Sequence, residues 1–501
     1  MKEKLDRLNA IIAEISDIGD AMALLGWDQE TYMPTGGAET RGQVSATLGR
    51  LVHERATSDE VGKLLEALVP WSQSELKEDS DEFRIIKNTK RGYDQQVKIP
   101  AAMIEERAKL QAAGNIAWRE ARQNDDWAKF EPYMDKWVDF VKRTADLFKP
   151  YDHPYDVLLD FFEPNMKTAD VKVIFDGIRP SQVELIDAIS KKPEVDDSVL
   201  HLHYDRATQL KMGEEVSKAF GFDYNRGRQD EVHHPFASNL GYGDQRITYR
   251  VDENFFNPYF FGNAHETGHA LYEQGVPKEK HRTALYGATS LAIHESQSRL
   301  WENLVGRSKP FWEWYFPTLQ KQFPAALGNV KMDTFYRAIN KVKPSLIRVE
   351  ADEATYNLHI MLRLEIEIGL VEGSISVKDL PEVWNTRFKE YLGITPPNNA
   401  QGVLQDVHWS FGLYGYFATY ALGNLVSAQL WEKITQANPN LPDQIRKGDF
   451  SHLLGWLREN IHVHGSKYEP QELVQRVTGT KIDGAPYVKY LQTKFGEIYG
   501  L

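Results

Sequence analysis

Cysteine is missing from all 501 residues. Disulfides and thiolate metal sites are thereby excluded, and any metal this chain holds must be gripped by imidazole and carboxylate. Such a chain suits a reducing interior, so a cytoplasmic location is expected. Basic residues are in deficit as well: 59 Lys and Arg stand against 72 Asp and Glu, a formal charge of -13. Nucleic-acid partners need a basic surface to displace counterions, so none is expected. A long lipid-compatible run is also lacking. The N-terminus opens with Lys2, Lys4 and Arg7, but Glu14 and Asp17 break the apolar stretch that follows, unlike a secretory signal. From Val407 to Trp431 the only ionisable side chains besides tyrosines belong to His408, yet Gly412, Gly415, Gly423, Asn424, Gln429 and the tyrosines at 414, 416 and 420 are too polar for a lipid-facing helix. That stretch reads as a buried core helix, and no membrane partner is expected.

What is present is an ordinary globular balance, 42% hydrophobic and 26% charged. Leu5, Leu8, Ile11, Ile12, Ile15, Ile18, Met22 and Leu25 recur at helical spacing and mark an amphipathic helix that stops near Trp27. Helical patterning resumes over 38–53, over 60–123 with breaks at Pro70 and Pro100, over 168–191 and over 206–220. Lys149 to Pro154 reads as a joint. Pro344 fits the first turn of a long helix reaching Gly369. Between these helices, Gln245 to Val251 alternates and predicts a strand; the Gly241–Asp244 turn before it predicts an antiparallel hairpin back toward 233–237. Such a strand would offer an open edge to an extended peptide. No internal repeat divides the chain, and residues 1–501 are read as a single catalytic unit.

His265-Glu266-Thr267-Gly268-His269 matches the pattern in which two imidazoles one helical turn apart grip a metal, while the intervening Glu stands beside the water that metal activates. The aromatic run Phe255 to Phe261 leads into it and favours a buried helix, where unpaired imidazoles are costly unless ligated. A catalytic zinc needs a third protein ligand. Glu295 is the leading candidate, on a stripe with Leu291, Ser298 and Trp301; His294 competes but lies about 100° round the helix. Two imidazoles and a carboxylate accept zinc, and cobalt as well. Glu266 would then act as general base for water attack on an amide carbonyl.

Five stretches resemble the carboxypeptidase Taq family of metallocarboxypeptidases: Asp244 to Thr248, His265 to His269, His294 to Gln297, Ile347 to Asp352, and Gly402 to Trp409; Trp27 to Gly37 is similar too. The resemblance implies a mainly α, zincin-like fold with a deep groove and a small antiparallel sheet beside the motif helix. It implies a homodimer that removes single residues from peptides with a free C-terminus, with His265, His269 and Glu295 on the metal and Glu266 as base. For the terminal carboxylate, Arg348 is the first choice, oriented by Asp352 one turn further along a helix, and Arg246 the second. His408, Tyr416 and Tyr420 are candidates for stabilising the oxyanion, and His234 for lining the substrate pocket. An endo-oligopeptidase with the same metal site, or a non-catalytic helical peptide-binding scaffold, are the alternatives.

Overall fold

The computed structural model describes residues 1–501, mostly helices, with one three-stranded sheet that packs chiefly on the helix Phe256–Gly275. The apolar stripe at the N-terminus becomes a helix over Lys2–Thr31, longer than the stripe itself. Tertiary contacts carry it past Trp27. The indole is buried beneath the guanidiniums of Arg246, 4.2 Å away, and Arg228, 5.1 Å away, and Arg41 of the next helix, Ala38–Ala56, binds Asp28 at 2.6 Å. Pro70 stays inside the helix Asp59–Glu75; the chain breaks instead before Ser80, which caps Asp81–Lys98 by accepting from the Phe83 amide. Pro100 does end a helix, as its missing N–H requires.

Two apolar clusters form. One of 102 buried residues runs from Met103 to Tyr499, whereas a satellite of seven, from Leu5 to Ile86, lies among the N-terminal helices. Polar contacts then join those helices to the body: Arg84 is bidentate on Glu472 at 2.9 and 2.8 Å, and His281 meets Asp20 at 3.0 Å. No helix is long and apolar enough to cross a membrane.

The strand read over 245–251 exists as β3, Gln245–Tyr249. It pairs antiparallel with β2, Ala237–Asn239, as the turn predicts, but also in parallel with β1, Gly227–Glu231. The order is β1-β3-β2, so the sheet is mixed rather than antiparallel and β3 is its centre. The expected open edge on β3 is therefore corrected: both of its sides are hydrogen-bonded. Alternation identifies a strand without revealing how many neighbours it has.

The helix expected from Pro344 also fails. Residues 341–347 are irregular, Arg348–Glu350 is one 3₁₀ turn, and the helix proper runs Tyr356–Glu372. Asp352 explains the break. Its carboxylate accepts from the amides of Lys343, Ala354 and Thr355 and from the Thr355 hydroxyl, satisfying locally the groups a helix would have paired. The apolar stretch after Val407 forms a buried helix only from Ala418 to Ala437, preceded by a 3₁₀ turn at His408–Phe411.

Three helices meet at the site. The motif helix spans Phe256–Gly275, and the ligand helix, capped by Ser290 accepting from the Ile293 amide, spans Leu291–Arg299 before widening into a π-helical turn over Leu300–Val305. Two glycines permit the stack. A Cβ at Gly268 would fall 2.6 Å from Ser298 Cα, and one at Gly423 would fall 2.7 Å from Glu295 Cβ. The ligand helix is thus held at backbone distance between the motif helix and Ala418–Ala437.

Candidate metal centre

The four-residue spacing of His265 and His269 places both rings on one face of the motif helix, their centroids 4.8 Å apart. The ligand helix supplies Glu295. Its Oε2 lies 3.7 Å from His265 Nε2 and 3.5 Å from His269 Nε2, and one donor atom from each residue falls within 4.8 Å of the others. Donors around a tetrahedral ion with bonds of about 2.0–2.1 Å stand about 3.4 Å apart. The separations and the donor types therefore suit a single zinc or similar ion, and these are the three residues that would hold it. His294, the competing ligand, is turned elsewhere: it binds Glu273 Oε1 at 3.1 Å and stacks on His269 with centroids 4.3 Å apart.

Charge is arranged in layers behind these donors. His265 Nδ1 meets Glu302 Oε2 at 2.9 Å, which fixes the ring so that Nε2 faces inward. Arg299 binds both Glu295 and Glu302, at 2.6 and 3.2 Å, and holds the Glu295 carboxyl far below the usual carboxylate range against the opposing effect of burial. Glu266 makes no such pair. It is 7% exposed, and burial pushes its carboxyl up to about 7.

The remaining expected residues divide. Arg348, buried at 6% exposure, is not partnered by Asp352; Asp406 takes its Nε and Nη2 at 2.9 Å each, and its Nη1 donates to Tyr356 Oη at 3.0 Å. Asp406 also accepts from Arg363 Nε at 2.7 Å. His408 Nε2 lies 3.3 Å from Tyr420 Oη, Tyr416 and Tyr420 lie ring to ring at 5.4 Å, and the Arg348 guanidinium covers Tyr420 at 5.0 Å. Tyr420 lies ring to ring with Tyr356 at 6.3 Å, and Arg299, the partner of Glu295, lies 4.6 Å from the centre of the Tyr356 ring, so this cluster borders the metal ligands. Arg246 and His234 stand apart. Arg246 is spent on Asp244, at 2.9 and 2.7 Å, and on Trp27. His234 is exposed on the β1–β2 connection against His233. Sequence reasoning missed Arg299, Glu302, Tyr356, Arg363 and the Arg348–Asp406 pair. Of these only Arg299 and Glu302 left a signal, being four and seven residues beyond Glu295 and hence near its helical face.

Buried histidines make stability pH-dependent. Burial lowers His408 and His462 to about 3 and His359 well below its ordinary value. The unfolded chain, titrating near 6.5, takes up these protons first, so stability is complete above about pH 6.5 and falls on acidification toward 3. His462→Gln is expected to flatten denaturant-measured stability between pH 6 and 4 by about 1.4 kcal/mol per pH unit relative to the parent. Equal slopes for the two proteins would remove His462 from this account.

A family profile described as carboxypeptidase Taq (M32) metallopeptidase matches residues 7–495. The chain belongs to that family. Its curated relatives include thermostable carboxypeptidase 1 of Thermus thermophilus, 42% identical over 95% of both chains, and carboxypeptidase 1 of Bacillus subtilis, 36% identical over 98% of this chain and 97% of the relative. Among solved structures, the M32 carboxypeptidase of Deinococcus radiodurans superposes with a TM-score of 0.96 at 40% identity, covering 100% of both chains. The M32 protein described here is accordingly a metallocarboxypeptidase with one His-His-Glu metal cluster.

Proposed function

We propose that this M32 chain is a zinc enzyme that removes single residues, with broad specificity, from the free C-termini of peptides. The observation that carries the reading is the convergence of His265, His269 and Glu295 beside a buried, unpaired Glu266. Zinc in that cluster would supply a Lewis acid for the scissile carbonyl and make a water more acidic; cobalt would serve similarly. Glu266 takes the proton from the attacking water and hands it to the departing amine. The Tyr420 hydroxyl, or that of Tyr416, donates to the oxygen that gains charge, and His408 orients Tyr420.

Arg348 reads the terminal carboxylate. Of its five N–H groups, hydrogen bonds to Asp406 and Tyr356 engage two, on Nε and Nη1, while Nη2 stands 2.9 Å from Asp406 as an ion pair. Both terminal nitrogens keep N–H groups to donate, and a substrate carboxylate can accept from them bidentately. Two buried guanidiniums share the single carboxylate of Asp406, so a substrate anion also supplies the missing counter-charge. His234 and Arg246 hold no contact with this cluster, and the reading gives them no part in it. We further propose that the enzyme is a homodimer acting in the cytoplasm, which sedimentation and cell fractionation test.

Digestion of a mixed peptide library, followed by mass spectrometry with and without chelator, tests the reaction. Free C-terminal amino acids should appear, one per cleavage, and chelator should abolish them until about one equivalent of zinc per chain is restored. Internal fragments would mark an endo-oligopeptidase instead. C-terminal amidation should slow hydrolysis by roughly 10²-fold or more, because the Arg348 fork loses its charged partner; equal rates for acid and amide would refute carboxylate reading.

A further inference from the structure

We propose that Arg299 is a positioning residue that restricts Glu295 to one ligating oxygen and so keeps a coordination position open at the metal. The two oxygens of Glu295 are treated differently. Oε2 is the one turned toward both imidazoles, with a single long contact of 3.3 Å from the Ser298 hydroxyl. Oε1 is turned away and accepts from Arg299 Nε at 2.6 Å, the shortest contact the carboxylate makes. A carboxylate free to rotate can present both oxygens to a divalent ion. A catalytic metal with three protein ligands must keep a further position for water or substrate, and a second Glu295 oxygen would compete for it.

Arg299 is itself fixed on three sides. Its Nη1 binds Glu302 Oε2 at 3.2 Å, and Glu302 in turn holds His265 Nδ1, so one guanidinium restrains two of the three ligands. Its flat face lies over the Tyr356 ring at 4.6 Å, and the hydroxyl of that ring accepts from Arg348. Glu295, Arg299 and Glu302 sit at positions i, i+4 and i+7 of one helix, which widens into the π-helical turn at Leu300. That placement brings both carboxylates to the same guanidinium. A point charge on a flexible stem would neutralise Glu295 but could not bind its Oε1 and Glu302 in fixed directions, so lysine is a poor substitute.

The inference rests on the metal-centre reading, and cobalt spectroscopy separates the two. In the cobalt-loaded parent, one ion per chain should give visible bands that change as azide enters the open position. Arg299→Met should still load cobalt, but with weaker bands, as higher coordination produces, and an azide dissociation constant roughly tenfold higher or more. Arg299→Lys should fall between parent and Arg299→Met. A parent that binds no cobalt would overturn the metal centre itself. An Arg299→Met protein with the parent's spectrum and azide affinity would overturn only the role of Arg299, whatever its turnover. If Arg299→Met does not fold, X-ray absorption on the zinc-loaded parent decides: one carboxylate oxygen in the first shell supports the proposal, and two overturn it.

Discussion

Glu266→Gln should retain its metal and lose turnover by about 10²–10⁴-fold, with KM nearly unchanged. The amide is isosteric, so neither the packing of the motif helix nor the three donors beside it need move. What disappears is the ability to accept a proton. The side chain is 7% exposed, and no hydrogen bond ties its carboxylate to a structural task. Burial raises the proton affinity of its carboxyl above that of an ordinary glutamate, in the direction a general base needs. The measurement is steady-state kinetics on a peptide with a free C-terminus, beside metal analysis of the same preparation. Parental kcat would exclude Glu266 as the base, and loss of metal would assign it to binding instead.

The second large effect is on stability. Asp406→Leu should cost about 3–5 kcal/mol, because it leaves two buried guanidiniums without their shared counter-ion. Arg348 and Arg363 both bind this carboxylate, Arg363 with no measurable exposure and Arg348 with 6%. The two guanidiniums hold the Asp406 carboxyl far below its ordinary range although burial opposes them. Because that pKa is depressed, the stabilisation is present above the unfolded-state value near 4 and fades only as pH falls toward the folded one. Denaturant unfolding at neutral pH measures the loss. Adding Arg363→Met should recover part of it by removing one of the orphaned charges, a non-additivity that two independent sites would not show. A loss below about 1 kcal/mol in the single variant would place Asp406 among surface-type ion pairs and sink the argument.

The corrections share a pattern. Pro344 starts no helix because Asp352 supplies hydrogen bonds to nearby amides, and that competition depends on where the loop is held. Trp27 does not end the first helix because two arginines from the sheet cover it. Arg246, read as a substrate residue, is one of those arginines. β3 looks like an edge by alternation, but it becomes the central strand once β1, which ends fourteen residues before β3 begins, lies parallel beside it.

The sequence by itself determined the motif helix, the face shared by His265 and His269, the exclusion of thiolate ligands and the family. All of these follow from local periodicity, from composition, or from motifs kept in order along the chain. Glu295 was half determined: its helical stripe was legible, and its choice over His294 was not final until the ligand helix had packed at a fixed rotation against Gly268 and Gly423. Only the tertiary structure decided the partner of Arg348, because Asp406 is 58 residues away in the chain and reaches it through a loop with no periodic signal. It also decided the lock on Glu295. The opening motif of two histidines and a glutamate has become a metal centre whose geometry is set by Arg299 and Glu302, since packing determines which charges share a buried space.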